Sequence, residues 1–220
     1  MKPLLVLAAF PVVLMGWASC SHSGTGHAAL PDPRAVDKSV PEYKNPFHPS
    51  TYAHFVARKD YRKTYDVYKD DTLLNRQPKK SRKIFVCLDE QRGQYLVDGL
   101  VAMDFPLSSG VKAYPTKTGD YAVISKKEDH TSNLYGKMYD AEGKCINYNA
   151  ESTDPIPEGG RFDGSPMPYW QRLTNAGLGL HVGKVRRHPV SHGCVRLPRN
   201  VAEILYRQTS RSEERRVGKE

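Results

Sequence analysis

The residue types that could do chemistry crowd into one stretch, Gly177 to Pro198, which reads GLGLHVGKVRRHPVSHGCVRLP. It holds His181, His188, His192, Cys194 and Arg196. A cysteine attacks as the thiolate, so it needs a neighbouring base or a positive environment. Gly193 lets the backbone turn tightly before Cys194, with the N–H groups of both residues aimed at one point as an oxyanion hole. His181 lies thirteen positions upstream, between Leu180 and Val182. A hairpin return would set it beside Cys194 as general base and then general acid. The forked donors of Arg196 suit a substrate carboxylate. His192 either orients the loop or assists the thiolate. His188, before Pro189 on an Arg-rich bend, reads as exposed.

Zinc is the rival chemistry, because His181, His188, His192 and Cys194 offer nitrogen and sulfur ligands. Pro189, however, breaks any helix that would put His188 and His192 on one face. Neither HExxH nor a paired CxxC is present. The reading therefore takes no metal and no cofactor.

These residues need rigid elements under them. Ile84–Leu88, Gln94–Val97 and Leu100–Leu107 read as three strands, the last two joined by Asp98-Gly99, a strong hairpin signal. A β-meander makes the domain largely antiparallel β. Asp120–Ser125 is expected as another strand. Residues 126–164 are polar and glycine-containing and read as a long loop, of the kind that covers a site. Pro168–Leu173 and Gly179–Val182 read as strands, and Val201–Gln208 as a short helix.

The chain has 220 residues, 39% hydrophobic and 26% charged. That composition suits one globular domain with extensions. It excludes a multi-span membrane protein and a wholly disordered chain. The net charge of +9 comes with no basic run interleaved with aromatics, so nucleic acid is not an expected partner. At the N-terminus, Lys2 and the apolar run Leu4–Trp17 read as a signal peptide over residues 1–20. Ala18-Ser19-Cys20 resembles the end of a bacterial lipobox, which would make Cys20 a lipidated mature N-terminus. Trp17 stands where that pattern carries Leu, Val or Ile, and cleavage near Ala28 is the alternative. Residues 21–40 read as a tether and 41–82 as a pre-domain segment whose aromatic residues must pack on something. The catalytic domain is expected over 83–210. Residues 211–220 read as a non-native tail on a domain cut short of a closing strand. Cys87 and Cys145 suit either a disulfide or free thiols.

Ser191-His192-Gly193-Cys194-Val195-Arg196 with the upstream His181 closely resembles the signature of the L,D-transpeptidases, the YkuD catalytic domain. Pro106-Leu107-Ser108-Ser109-Gly110, Met167-Pro168-Tyr169-Trp170 and Thr116-Lys117-Thr118-Gly119-Asp120-Tyr121 are supporting similarities, the last with Lys117 where proline is usual. The resemblance implies a mainly β fold, an antiparallel sandwich or barrel with a short C-terminal helix. It implies Cys194 as nucleophile and His181 as base, with Ser191, His192, Gly193 and Arg196 lining the site. The carbonyl of Val182 or Gly183 would be the third member of the triad. Family members break the bond between a diamino acid and D-Ala in a peptidoglycan stem peptide. They pass the acyl group to an amine on a second stem or an envelope protein. Hydrolysis with water as acceptor is the alternative within that chemistry, and a wall-binding lipoprotein the alternative outside it. The implied location is the periplasmic side of the bacterial envelope, with the membrane reached through a lipid anchor.

Overall fold

Arg82–Cys87 (β2) runs from two basic residues into the apolar stretch Ile84–Cys87, and along it half-buried residues alternate with exposed ones until the buried Cys87. The next two strands, Arg92–Val97 (β3) and Leu100–Pro106 (β4), are buried over most of their length. Asp98 and Gly99 make the turn between them with φ of 52° and 84°, the left-handed pair that a tight hairpin requires. A computed structural model describes residues 32–77 and 81–209 of the chain. Cys20, the expected signal segment, the first part of the tether and the 211–220 tail lie outside the described residues.

The remaining elements are the helices Tyr52–Ala57 (α1) and Asp71–Leu74 (α2), either side of Tyr68–Lys69 (β1), then eight elements after β4. These are Ser125–Lys127 (β5), Thr131–Tyr139 (β6), Cys145–Glu151 (β7), Arg161–Pro166 (β8), Trp170–Arg172 (β9), Gly179–Val182 (β10), Val195–Leu197 (β11) and the helix Arg199–Gln208 (α3). They form three sheets with strand orders β1-β4-β3-β2, β11-β10-β9-β5 and β7-β6-β8. The core lies between the first two. Tyr95, Met103, Phe105 and Leu107 pack with Leu180, Val195 and Leu197, and Val201, Ala202 and Leu205 of α3 close the end. No helix among the described residues is long and apolar enough to cross a membrane.

Two expectations are corrected. Residues 126–164 are not a loop: they hold β6, β7 and β8, an antiparallel sheet of its own. The sequence pattern hid it because much of this sheet faces water. Leu134, Ile146 and Tyr148 stay exposed, so the apolar alternation that marks a half-buried strand is missing. The strand expected over 120–125 is displaced to Ser125–Lys127, which pairs with β9 through Ser125 and Arg172.

The pre-domain segment packs directly on the meander. Its β1 pairs with β4, Tyr68 opposite Asp104. Asp104 and Arg92 form an ion pair at 2.6 Å with side chains 0% and 2% exposed. Such a pair is sustained only if its other hydrogen-bonding positions are filled. Here Tyr52 and Tyr61 both donate to Asp104 Oδ2, at 2.7 and 2.8 Å. Arg92 donates to the carbonyls of Thr64 and Asp66, each at 3.1 Å. Burial and the Asp104 carboxylate both push the two phenols' pKa values upward, so they stay protonated donors. Asp104→Ala strands the guanidinium without a counter-charge and is expected to cost about 3–5 kcal/mol. Urea unfolding measures it; a loss under 1 kcal/mol would contradict this account.

Cys87 closes β2 in the first sheet and Cys145 opens β7 in the third.

Candidate active site

β10 and β11 run parallel, with Leu180 opposite Val195, His181 opposite Arg196 and Val182 opposite Leu197. Side chains alternate between the faces of a strand, and directly paired residues share a face. Leu180, Val195 and Leu197 are buried in the core. His181 and Arg196 therefore take the opposite face, and Cys194 lies immediately before β11, where the Arg196 charge acts on both its thiol and His181. The parallel pairing corrects the expected hairpin return: residues 183–194 form a crossover. A parallel pair needs a connection of about a dozen residues, which is the length between His181 and Cys194.

His181 is 6% exposed. Its Nδ1 lies 2.8 Å from the carbonyl oxygen of Val182. A carbonyl can only accept, so Nδ1 carries the proton and Nε2 is left as the basic nitrogen. Of the two carbonyls expected to hold the base, the one engaged is that of Val182. Burial pushes the imidazolium pKa down to about 4, with Arg196 and His130 adding repulsion against the Val182 bond. The Trp170 ring stands 6.0 Å from that of His181 and 5.1 Å from that of His130.

The Cys194 S–H donates to the Gly177 carbonyl at 3.3 Å. Burial pushes the thiol pKa up, while the Gly179 backbone and the Arg196 charge oppose it. Burial thus favours the uncharged form of both groups, and an attack by this thiol would need its proton taken up by a base.

The turn carrying Cys194 is built from the sequence around it. Ser191 Oγ donates to the Cys194 carbonyl at 2.5 Å and accepts from the Gly193 N–H at 3.2 Å. The Gly193 amide is therefore shared with Ser191 and is not a free oxyanion donor. Gly193 has φ of 110°, a conformation that side chains with a Cβ rarely adopt. Gly110 lies against it: a Cβ there would sit 2.8 Å from Gly193 Cα and 2.1 Å from the Tyr114 carbonyl oxygen. Ser108, Ser109 and Gly110 line the turn, bridging to Arg196 and Ser191. Thr116 Oγ1 donates to the Gly193 carbonyl at 2.6 Å and accepts from Gly110 N at 2.9 Å.

His192 is exposed and stacks on Tyr135 of β6 at 4.3 Å and 15°, with Tyr114 tilted against it at 4.7 Å. His188 is exposed, with Nδ1 3.3 Å from the Pro189 carbonyl. Among the described residues no group of three or more His, Cys, Asp or Glu side chains is arranged to hold a metal ion. Sequence reasoning did not anticipate Gly177 and Gly179 as partners of the thiol, nor Tyr114 and Tyr135 as partners of His192. Gly177 and Gly179 flank His181 closely enough to have been signalled by the glycine spacing. Tyr135 carried no signal, because its strand was not recognisable.

The family profile described as the L,D-transpeptidase catalytic domain (YkuD) matches residues 81–217. A search of curated proteins gave no match. Among solved structures, an L,D-transpeptidase from Stackebrandtia nassauensis is 23% identical, over 61% of this chain and 54% of its own, with a TM-score of 0.42. L,D-transpeptidase 1 from Mycobacterium tuberculosis is 20% identical over 59% of this chain and 57% of its own, with a TM-score of 0.42. The catalytic domain of the E. faecium L,D-transpeptidase is 26% identical over 60% of this chain and 93% of that domain, with a TM-score of 0.43. The chain spans about half the length of the first two proteins. Because the profile match takes in every strand from β2 to β11 and well over half of the residues, the chain belongs to the YkuD family of L,D-transpeptidase catalytic domains.

Proposed function

We propose that the chain is a cysteine acyltransferase of the peptidoglycan, an L,D-transpeptidase acting on stem peptides at the periplasmic side of the bacterial envelope. The observation that carries this reading is the ladder of β10 on β11, which sets His181 opposite Arg196 with Cys194 immediately before β11. As Cys194 Sγ attacks the carbonyl carbon between the diamino acid and D-Ala, the thiol proton passes to His181 Nε2. The tetrahedral oxyanion is held by the Cys194 amide, with the shared Gly193 amide beside it. Collapse expels D-Ala, whose amine takes the proton from Nε2, and a thioester remains. An acceptor amine on a second stem or an envelope protein then attacks the thioester. Its proton goes to Nε2 and on to the departing thiolate. Arg196 binds a carboxylate of the stem. Ser191 holds the turn, and His192 with Tyr135 lines the entrance.

Incubation with a tetrapeptide-stem muropeptide and mass analysis tests the reading. Loss of D-Ala with a new crosslink is the expected result. Loss of D-Ala with gain of water would make the enzyme a carboxypeptidase, and an unchanged muropeptide would overturn the reading.

The reading includes export and anchoring through a lipid on Cys20, which keeps the enzyme beside its polymeric substrate. A single acyl chain holds a membrane only marginally and two or more hold it stably. Detergent partitioning and the mass of the N-terminal peptide are expected to reveal a diacylated or triacylated Cys20. A lipid-free chain beginning near Ala29 would contradict it.

A further inference from the structure

The crossover over residues 183–194 contains no helix and none of the named strands, yet it has to deliver the nucleophile to a defined place. Its last part is tied to Ser109, whose carbonyl accepts from Val190 at 2.8 Å and Ser191 at 3.0 Å. Its middle is tied both to residues inside the family match, Ser108 Oγ accepting from the Arg186 N–H at 2.8 Å, and to residues upstream of that match. Tyr65 Oη donates to the Arg186 carbonyl at 3.2 Å. Arg187 Nη1 donates to the Thr64 carbonyl at 3.1 Å and Nη2 to the Glu90 carbonyl at 3.0 Å. The same Thr64 carbonyl accepts from Arg92 Nη1, also at 3.1 Å. One carbonyl oxygen thus joins the crossover to the buried Arg92–Asp104 pair. Arg187 has φ of 55°, a left-handed conformation that a residue with a side chain keeps only where its surroundings over-determine it.

We propose that Thr64, Tyr65 and Arg187 form a clamp by which the N-terminal segment positions the nucleophile loop. The segment is then a working part of the catalytic unit. These are positioning residues, and the proposal rests on the reading of Cys194 as nucleophile. A guanidinium can reach two carbonyls on two different elements with fixed geometry, whereas the point charge of a lysine cannot. The β10–β11 ladder does not depend on the clamp, so releasing the clamp loosens Cys194 relative to His181 without unpairing the strands. A misplacement of about 1 Å at a reacting group is enough to cost on the order of 10²-fold in rate.

The test uses the full chain as wild type, Arg187→Lys, Arg187→Ala and Tyr65→Phe. For each, the pH profile of Cys194 alkylation by iodoacetamide is read by peptide-resolved mass spectrometry, alongside the rate of acylation by a carbapenem. The thermal midpoint and alkylation of Cys145 report general loosening. Arg187→Lys is expected to slow acylation about tenfold or more. It should also move the Cys194 profile towards that of an exposed thiol, with Cys145 unchanged. The cation acting on the thiol is Arg196, so such a shift is not the direct loss of the Arg187 charge. Tyr65→Phe should give a smaller effect of the same kind. Should Arg187→Ala fail to fold, the other two variants decide. An Arg187→Lys enzyme with wild-type acylation and a wild-type profile overturns the clamp, as does a loss that Cys145 shares equally. A wild type that alkylates at Cys194 but takes no acyl group defeats the transpeptidase reading instead, and the alkylation profiles still decide the clamp.

Discussion

A carbapenem-type β-lactam or a tetrapeptide stem is expected to leave one covalent adduct on the full-length chain, and Cys194→Ser to abolish it. The physical ground is the place of Cys194 immediately before β11, with the Arg196 charge acting on its thiol and His181 opposite Arg196 in the ladder. Serine retains the shape, but a hydroxyl is far harder to deprotonate than a thiol. Loss of the nucleophile in acyl-transfer enzymes lowers turnover by on the order of 10⁴-fold or more. Cys87 is buried in a different sheet and Cys145 lies in the third, so neither can replace it. Intact-mass analysis gives the answer directly. An adduct persisting in Cys194→Ser would remove this residue from the mechanism.

His181→Ala is expected to lower turnover by about 10²–10⁴-fold, the usual contribution of a positioned general base. His188→Ala should leave it nearly unchanged, because His188 is exposed and meets only the Pro189 carbonyl. The pH dependence carries the same signature. Burial pushes His181 down to about 4 from an ordinary value near 6.5. The base therefore stays neutral well below pH 6, and the acid limb of kcat/KM should fall near pH 4. The sign for stability follows by linkage. Between pH 6.5 and 4 the unfolded chain binds a proton on this histidine and the folded chain does not. Stability therefore falls with acid across that window, by up to about 1.4 kcal/mol per pH unit, and levels off below it. His181→Gln should remove this part of the acid sensitivity. Equal losses in the His181 and His188 variants, or an acid limb near 6.5 in the wild type, would contradict the assignment.

Much of the fold could be read in advance where one face of an element is buried. The strands of the meander and Gly179–Val182 were legible as short apolar runs bounded by turn residues, with Asp98-Gly99 marking the hairpin, and α3 as a short apolar-containing stretch that buries Val201, Ala202 and Leu205. The third sheet was not, since its exposed residues show no apolar alternation. The polar interior was also illegible: nothing marks Asp104 and Arg92 as partners, or Tyr52 and Tyr61 as their donors, before the chain is folded.

For the candidate site the division follows the same physics. Sequence by itself determined the reactive types, the tight glycine turn before Cys194 and the histidine thirteen residues upstream, because these are properties of neighbouring residues. Only the tertiary structure decided that the two strands run parallel and which carbonyl, that of Val182, orients the imidazole. It also decided that the Gly193 amide is shared with Ser191, and that Thr64 and Tyr65 reach the crossover. Each of these is a pairing between segments far apart in the chain. Such pairings are selected by the burial of whole faces and by the need of buried donors and acceptors for partners, and no local pattern encodes them.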